Sequence, residues 1–154
     1  MSCAKRQTVA FRVIFDKLTF QFVIHNPGFY LGIKKIRLTG GEPLIKKNFA
    51  EILNHLSALG LQLNITTNGI LLDKYWEELE HAKIESLNIS LDSLDKEKFK
   101  QITRRDYFNR VWKNIFSAVE RGFDVKLNAV LMKNENDNEI LDFIELTKDH
   151  PISV

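Results

Sequence analysis

Residues 33–43 read Ile33-Lys34-Lys35-Ile36-Arg37-Leu38-Thr39-Gly40-Gly41-Glu42-Pro43. The first seven form a β-branched, partly apolar run of strand length, and the glycine pair stops it. A helix is expected next, because Phe49, Ile52, Leu53, Leu56 and Leu59 fall on one helical face. Asn48 reads as its cap, with Glu51 three residues on as the reciprocal partner, and Gly60 reads as its stop. Strand, glycine-marked turn and amphipathic helix make one unit.

The unit recurs toward the carboxyl end. Residues 61–67 are the next strand, followed by Asn68-Gly69 and a helix over about 73–81. Residues 84–91 are a third strand, with helical segments over about 95–102 and 107–121, the latter stopped by Gly122. Residues 124–131 are a fourth strand, 138–148 a last helix, and 151–154 open a fifth strand. About four consecutive strand–helix units predict an α/β fold with a parallel sheet. Periodicity leaves open whether that sheet is part of a barrel or doubly wound.

The chain before residue 32 differs in composition. It carries Lys5, Arg6, Arg12 and Lys17 against Asp16 alone, and Phe11, Phe15, Phe20, Phe22 and Phe29 crowd into it. Val9, Phe11, Val13 and Phe15 alternate, as do Leu18, Phe20, Phe22 and Ile24, so a β-hairpin turning at Asp16-Lys17 is expected. The shift sets residues 1–31 apart from 32–154, with a boundary near Asn26-Pro27-Gly28.

Composition narrows the function classes. A chain of 154 residues fits one domain, and 44% hydrophobic with 27% charged residues is the balance of a globular protein. A formal charge of +2 gives no electrostatic case for nucleic acid or membrane as partner. Cys3 is the only cysteine, so one chain forms no internal disulfide and offers no set of three thiolates to a metal or cluster. The single thiol and the lack of a secretory signal point to the cytoplasm. The four histidines, at 25, 55, 81 and 150, have no metal-ligand spacing, and no metal site is expected.

In parallel α/β folds, ligands bind at the carboxyl ends of the strands. Gly40-Gly41 there lets backbone approach a ligand closely, and Glu42 before Pro43 is held extended, so a carbonyl or the carboxylate could receive an ammonium group. A plain strand-to-helix turn is the competing reading. Thr66, Thr67 and Asn68 offer hydroxyl and amide groups, or ordinary turn chemistry. Ser90 ends a strand, and Asp92 just beyond it reads as a helix cap. Arg37 and Lys126 are cations inside strands, where a buried charge without a partner is costly. They suggest an anionic ligand such as phosphate, or else an exposed edge. Arg104-Arg105-Asp106 reads as a solvated loop or an ion pair.

The segments K-K-I-R-L-T-G-G-E-P-L, N-I-T-T-N-G, L-N-I-S-L-D-S-L-D, I-T-R-R-D-x-F and G-F-x-V-K-L-N-A-V occur in this order. Together they resemble the radical S-adenosylmethionine (SAM) superfamily, and within it the GTP 3′,8-cyclase family of molybdenum cofactor biosynthesis. The resemblance runs from about Gly32 to Val154. It implies a partial barrel, here an incomplete one. It implies SAM contacts at Gly41 and Ser90, GTP contacts at Arg37, Thr66 and Lys126, and a supporting shell of Gly40, Glu42 and Asn68. It also implies a 4Fe–4S cluster that reduces SAM to yield a 5′-deoxyadenosyl radical, which starts the cyclisation of GTP.

The sequence departs from the family at the cluster. The C-x-x-x-C-x-x-C motif of the family's first loop has no counterpart in residues 1–31, and the three cysteines of its second cluster are absent too. The expectation is a fragment that retains SAM and GTP walls and is inactive alone, with no catalytic residue assigned. A cluster-free module binding SAM or a protein partner is the alternative. A peptide-modifying member of the superfamily is a third reading, which Arg37 and Lys126 disfavour. Exposed sheet edges predict homo-oligomers.

Overall fold

The computed structural model describes residues 11–13 and 34–154. Six strands form one sheet in sequence order: β1 (Phe11–Val13), β2 (Lys35–Leu38), β3 (Gln62–Thr67), β4 (Ser86–Ser90), β5 (Asp124–Asn128) and β6 (Ile152–Ser153). Every neighbouring pair is parallel. The connections carry helices α1 (Phe49–Ser57), α2 (Trp76–His81), α3 (Lys96–Thr103), α4 (Phe108–Glu120) and α5 (Ile140–Asp149). The expected strand–helix alternation is present, and the sheet is open. No described helix is long and apolar enough to cross a membrane.

Alternation along the strands decides what each face meets. Ile36 and Leu38, Leu63 and Ile65, Leu87 and Ile89, Val125 and Leu127, and Ile152 are all buried. They pack with Phe49, Ile52, Leu53 and Leu56 of α1, Leu79 of α2, Phe99 of α3, Val111 and Ile115 of α4, and Phe143 of α5 in one core. The residues between them face the other way, and they are polar throughout. Parallel strands covered on both faces read as continuous apolar runs. These strands alternate, so one face of the sheet packs on helices and the other is built for water or a polar ligand.

Several local expectations change. Asn48 makes no side-chain capping bond, because its backbone (φ −102°, ψ 23°) is not the extended geometry that aims a cap at the first turn. The expected helix over 73–81 begins as a 3-10 turn, Leu72–Lys74, before α2. The fourth strand stops at Asn128 rather than 131. Asp95, not Asp92, caps α3, accepting from the Lys98 backbone N–H at 2.8 Å.

β1 lies within the compositionally distinct segment 1–31 and pairs with β2 in the same sheet, Arg12 opposite Arg37. The Asp16-Lys17 turn, the second hairpin arm over 18–24, the 26–28 boundary, Cys3 and His25 lie outside the described residues.

Candidate functional site

The polar face is ordered in rows, because parallel registry sets residues of neighbouring strands side by side. One row runs Arg37, Asn64, Ser86, Asp124. The next, toward the carboxyl ends, runs Thr66, Asn88, Lys126, Ser153. A third pairs Ser90 with Asn128. Hydroxyls, amides, the cations Arg37 and Lys126 and the Asp124 carboxylate thus form one surface.

Arg37 and Lys126 are exposed, so of the two alternatives neither is a cation buried without a partner. They stand on the uncovered face, where water solvates the charge and burial costs nothing. Among the described residues neither forms an ion pair. The cations that do pair lie elsewhere: Lys98 meets Glu139 at 3.1 Å, Arg110 meets Asp73 at 2.9 Å and Lys100 meets Asp106 at 3.0 Å. The last pair belongs to the 104–106 loop. Their hydrogen bond, then their charge attraction, lowers the Asp106 pKa and raises that of Lys100. Arg104 and Arg105 remain exposed beside it.

At the carboxyl edge, side chains tie each loop to its neighbour. Glu42 takes three hydrogen bonds: Oε1 accepts from the Leu44 N–H at 3.0 Å and the Thr67 hydroxyl at 2.8 Å, and Oε2 from the Asn68 N–H at 2.7 Å. The carboxylate suggested as an ammonium acceptor is therefore a strut, locking the turn after β2 to the end of β3. Asn68 folds its own turn, its Oδ1 accepting from the Ile70 N–H at 3.0 Å. Gly40 lies half-buried in the bend just before Glu42. The proposed supporting residues Glu42 and Asn68 thus touch each other.

Gly41 does not take a positive φ, and nothing lies within 4 Å of where its Cβ would be. Its value is open space beside the backbone rather than a left-handed turn. Gly69 is the constrained one. Its φ is +77°, and a Cβ there would stand 2.9 Å from Ile89 Cγ2. Asn114 of α4 fixes this turn from behind, its Nδ2 donating to the Gly69 carbonyl at 2.7 Å.

On the far side, Asp92 Oδ1 accepts from the Val130 N–H at 2.9 Å, joining the ends of β4 and β5. Asn136, fully buried, donates through Nδ2 to the Val130 carbonyl at 2.9 Å and accepts through Oδ1 from the Met132 N–H at 2.7 Å. Glu139, also buried, receives the Ser93 hydroxyl and the Leu94 N–H at 2.6 Å. Sequence reading missed Asn114, Asn136 and Glu139. A lone Asn or Glu in a loop or helix carries no periodic signal. It also missed Asn64, Asn88 and Ser86, although polar residues at every second position of a parallel strand were there to be read.

Arg37, Thr66 and Lys126 therefore share one face within two adjacent rows, and Ser90 and Gly41 stand at its carboxyl edge. Thr66 and Ser90 are half-buried, with their hydroxyls on the polar side. Such a surface suits an anionic ligand rich in hydroxyl and amine groups. It does not suit an iron–sulfur cluster. Its hydroxyls, amides and cations are not thiolates, and the given sequence has the single Cys3.

Comparison with known proteins agrees with this architecture. Residues 27–147 match the radical SAM superfamily. The chain is 52% identical over 126 residues to a mitochondrial GTP 3′,8-cyclase of Arabidopsis thaliana, covering 80% of this chain and 32% of that protein. It is 47% identical over 127 residues to the molybdenum cofactor biosynthesis protein moc-5 of Caenorhabditis elegans, covering 80% of this chain and 21% of that protein. The chain thus spans a third or less of these two relatives. Among solved structures, an archaeal TYW1 superposes with a TM-score of 0.58 at 20% identity, covering 91% of this chain and 58% of that one.

Proposed function

Since the chain belongs to the radical SAM superfamily, we propose that it forms the nucleotide-binding wall of a GTP 3′,8-cyclase. The observation that carries this reading is the polar sheet face, where Arg37 on β2 and Lys126 on β5 form no ion pair among the described residues and Thr66 on β3 lies on the strand next to Arg37. A relative named GTP 3′,8-cyclase, 52% identical over 80% of this chain, supports the same ligand.

Each residue has a task that follows from its chemistry. Arg37 presents a planar fork of donors that suits phosphate oxygens, and Lys126 adds a point charge one row away. Thr66 both donates and accepts, which suits a ribose hydroxyl. At the carboxyl edge, Ser90 and the backbone beside Gly41 meet SAM, and Glu42 holds that turn rigid against β3. When bound in family members, SAM supplies the radical, and an iron–sulfur cluster the electron. The residues of this chain do not fit the cluster, so the wall binds and orients, and the chain alone does not cleave SAM. Its setting is the cytoplasm or an equivalent reducing compartment.

Calorimetry tests the binding. GTP should bind the purified chain, more weakly as salt is raised. Arg37→Ala and Lys126→Ala should each weaken GTP by about tenfold or more, with little effect on SAM. GTP affinity unchanged in both variants would sink the proposal. Under anaerobic reducing conditions the chain should release no 5′-deoxyadenosine, and release of it would refute the non-cleaving half.

A further inference from the structure

The side-chain amide of Asn88 is the anomaly of the polar face. Three other asparagines of the site are buried and engaged. Asn64 pairs with the Ser86 hydroxyl, Asn114 with the Gly69 carbonyl, and Asn136 with three backbone groups. Asn88 has only a 3.5 Å contact from Nδ2 to the Thr66 hydroxyl, at the outer limit of a hydrogen bond. Its Oδ1 is sealed from solvent and has no partner among the described residues. Among the described residues it is the one buried side-chain polar atom left so. A buried carbonyl without a donor destabilises the fold. An apolar residue here would avoid that cost.

Its position gives a reason for keeping it. Asn88 is the β4 member of the middle row, with Thr66 beside it on β3 and Lys126 beside it on β5. We propose that Asn88 is a further substrate-contact residue, whose amide oxygen accepts a hydrogen bond from a hydroxyl or N–H group of the nucleotide lying across Thr66 and Lys126. This rests on the nucleotide-wall reading above and adds to it a contact of opposite sense. Arg37 and Lys126 only donate, so they serve acceptors on the ligand, phosphate oxygens above all. An acceptor between Thr66 and Lys126 recognises the nucleoside, because triphosphate at neutral pH has almost no donor to offer. The terminal torsion of asparagine is broad, so a modest turn of the amide brings the oxygen to the ligand.

The test is Asn88→Leu, near in volume and without the amide, with Asn88→Ala as the companion should Leu fail to fold. GTP and SAM are titrated separately into the parent chain and each variant, and unliganded thermal stability is measured alongside. GTP should weaken by about tenfold. SAM affinity should hold, and the melting temperature of Asn88→Leu should stay level or rise. Inorganic triphosphate, which lacks the nucleoside, should bind parent and variant alike. GTP affinity unchanged in the variants overturns this inference and leaves the wall reading standing. So does a fall in melting temperature with equal loss of both ligands, which marks a structural role. Failure of the parent chain to bind GTP overturns the wall reading, and this inference with it.

Discussion

Glu42 shows how one side chain converts two flexible turns into a platform. Its carboxylate accepts from Leu44, Thr67 and Asn68, so it bridges residues 25 and 26 positions away in sequence. In Glu42→Gln, one acceptor oxygen becomes an NH2 facing an N–H or O–H donor. That donor loses its partner in a half-buried site, at a cost of about 1–3 kcal/mol. Chemical denaturation should show that loss, with SAM affinity falling alongside because the Gly41 turn is no longer fixed. Stability equal to the parent would mean that the three bonds do not hold the turn. The sequence left Glu42 open as a ligand contact or as part of a plain strand-to-helix turn. Which role it plays was not legible. A carboxylate that receives three protein donors and one that awaits an ammonium group are the same letter, and only the position of Thr67 and Asn68 separates them.

At the scale of elements, the strands and helices were readable, and the caps and loop ties between them were not. Ile36 and Leu38 or Leu87 and Ile89 repeat every second residue, so their burial follows from the pleat. The same arithmetic places Arg37 and Lys126 on the opposite face, although a cation in a parallel strand first reads as buried. Caps and loop ties depend on backbone angles and distant partners instead. Asn48 has the right letter for a cap and the wrong ψ, whereas Asp92 reads as a cap and serves as a brace between β4 and β5. One such tie is Asn136, which holds the loop from Val130 to Met132 and reaches back to the Asp92 carbonyl. Asn136→Ala leaves a buried N–H and two carbonyls without their partner and should cost about 2–4 kcal/mol. Hydrogen exchange should accelerate most over 129–139, while β3 and α1 change little. Uniform acceleration across the sheet would contradict a local tie.

The whole molecule presents two unlike surfaces. The polar face is open and ready for a ligand. One other exposed patch is apolar: Ile140, Leu141 and Ile144 of α5 stand 41%, 74% and 50% exposed, beside β6, which is an edge strand of two residues among the described residues. Ile140 and Ile144 are one turn apart, so with Leu141 they form a stripe rather than scattered contacts. Phe143 between them anchors the helix to the core, which keeps the stripe turned outward. Apolar stripes next to an unpaired strand edge drive association, since the edge offers backbone hydrogen bonds and the stripe offers area. The purified chain should therefore self-associate, with a sedimentation coefficient that rises with concentration. Leu141→Glu with Ile144→Lys should shift it toward monomer without lowering its melting temperature, because neither side chain is part of the core. The same pair should leave GTP affinity intact, because the proposed nucleotide wall is the other face of the sheet. A parent chain that sediments as a monodisperse monomer at every concentration would contradict association. A double variant that loses GTP binding as well would mean that the two faces are coupled through α5 and β6, against the separation on which the nucleotide-wall reading depends.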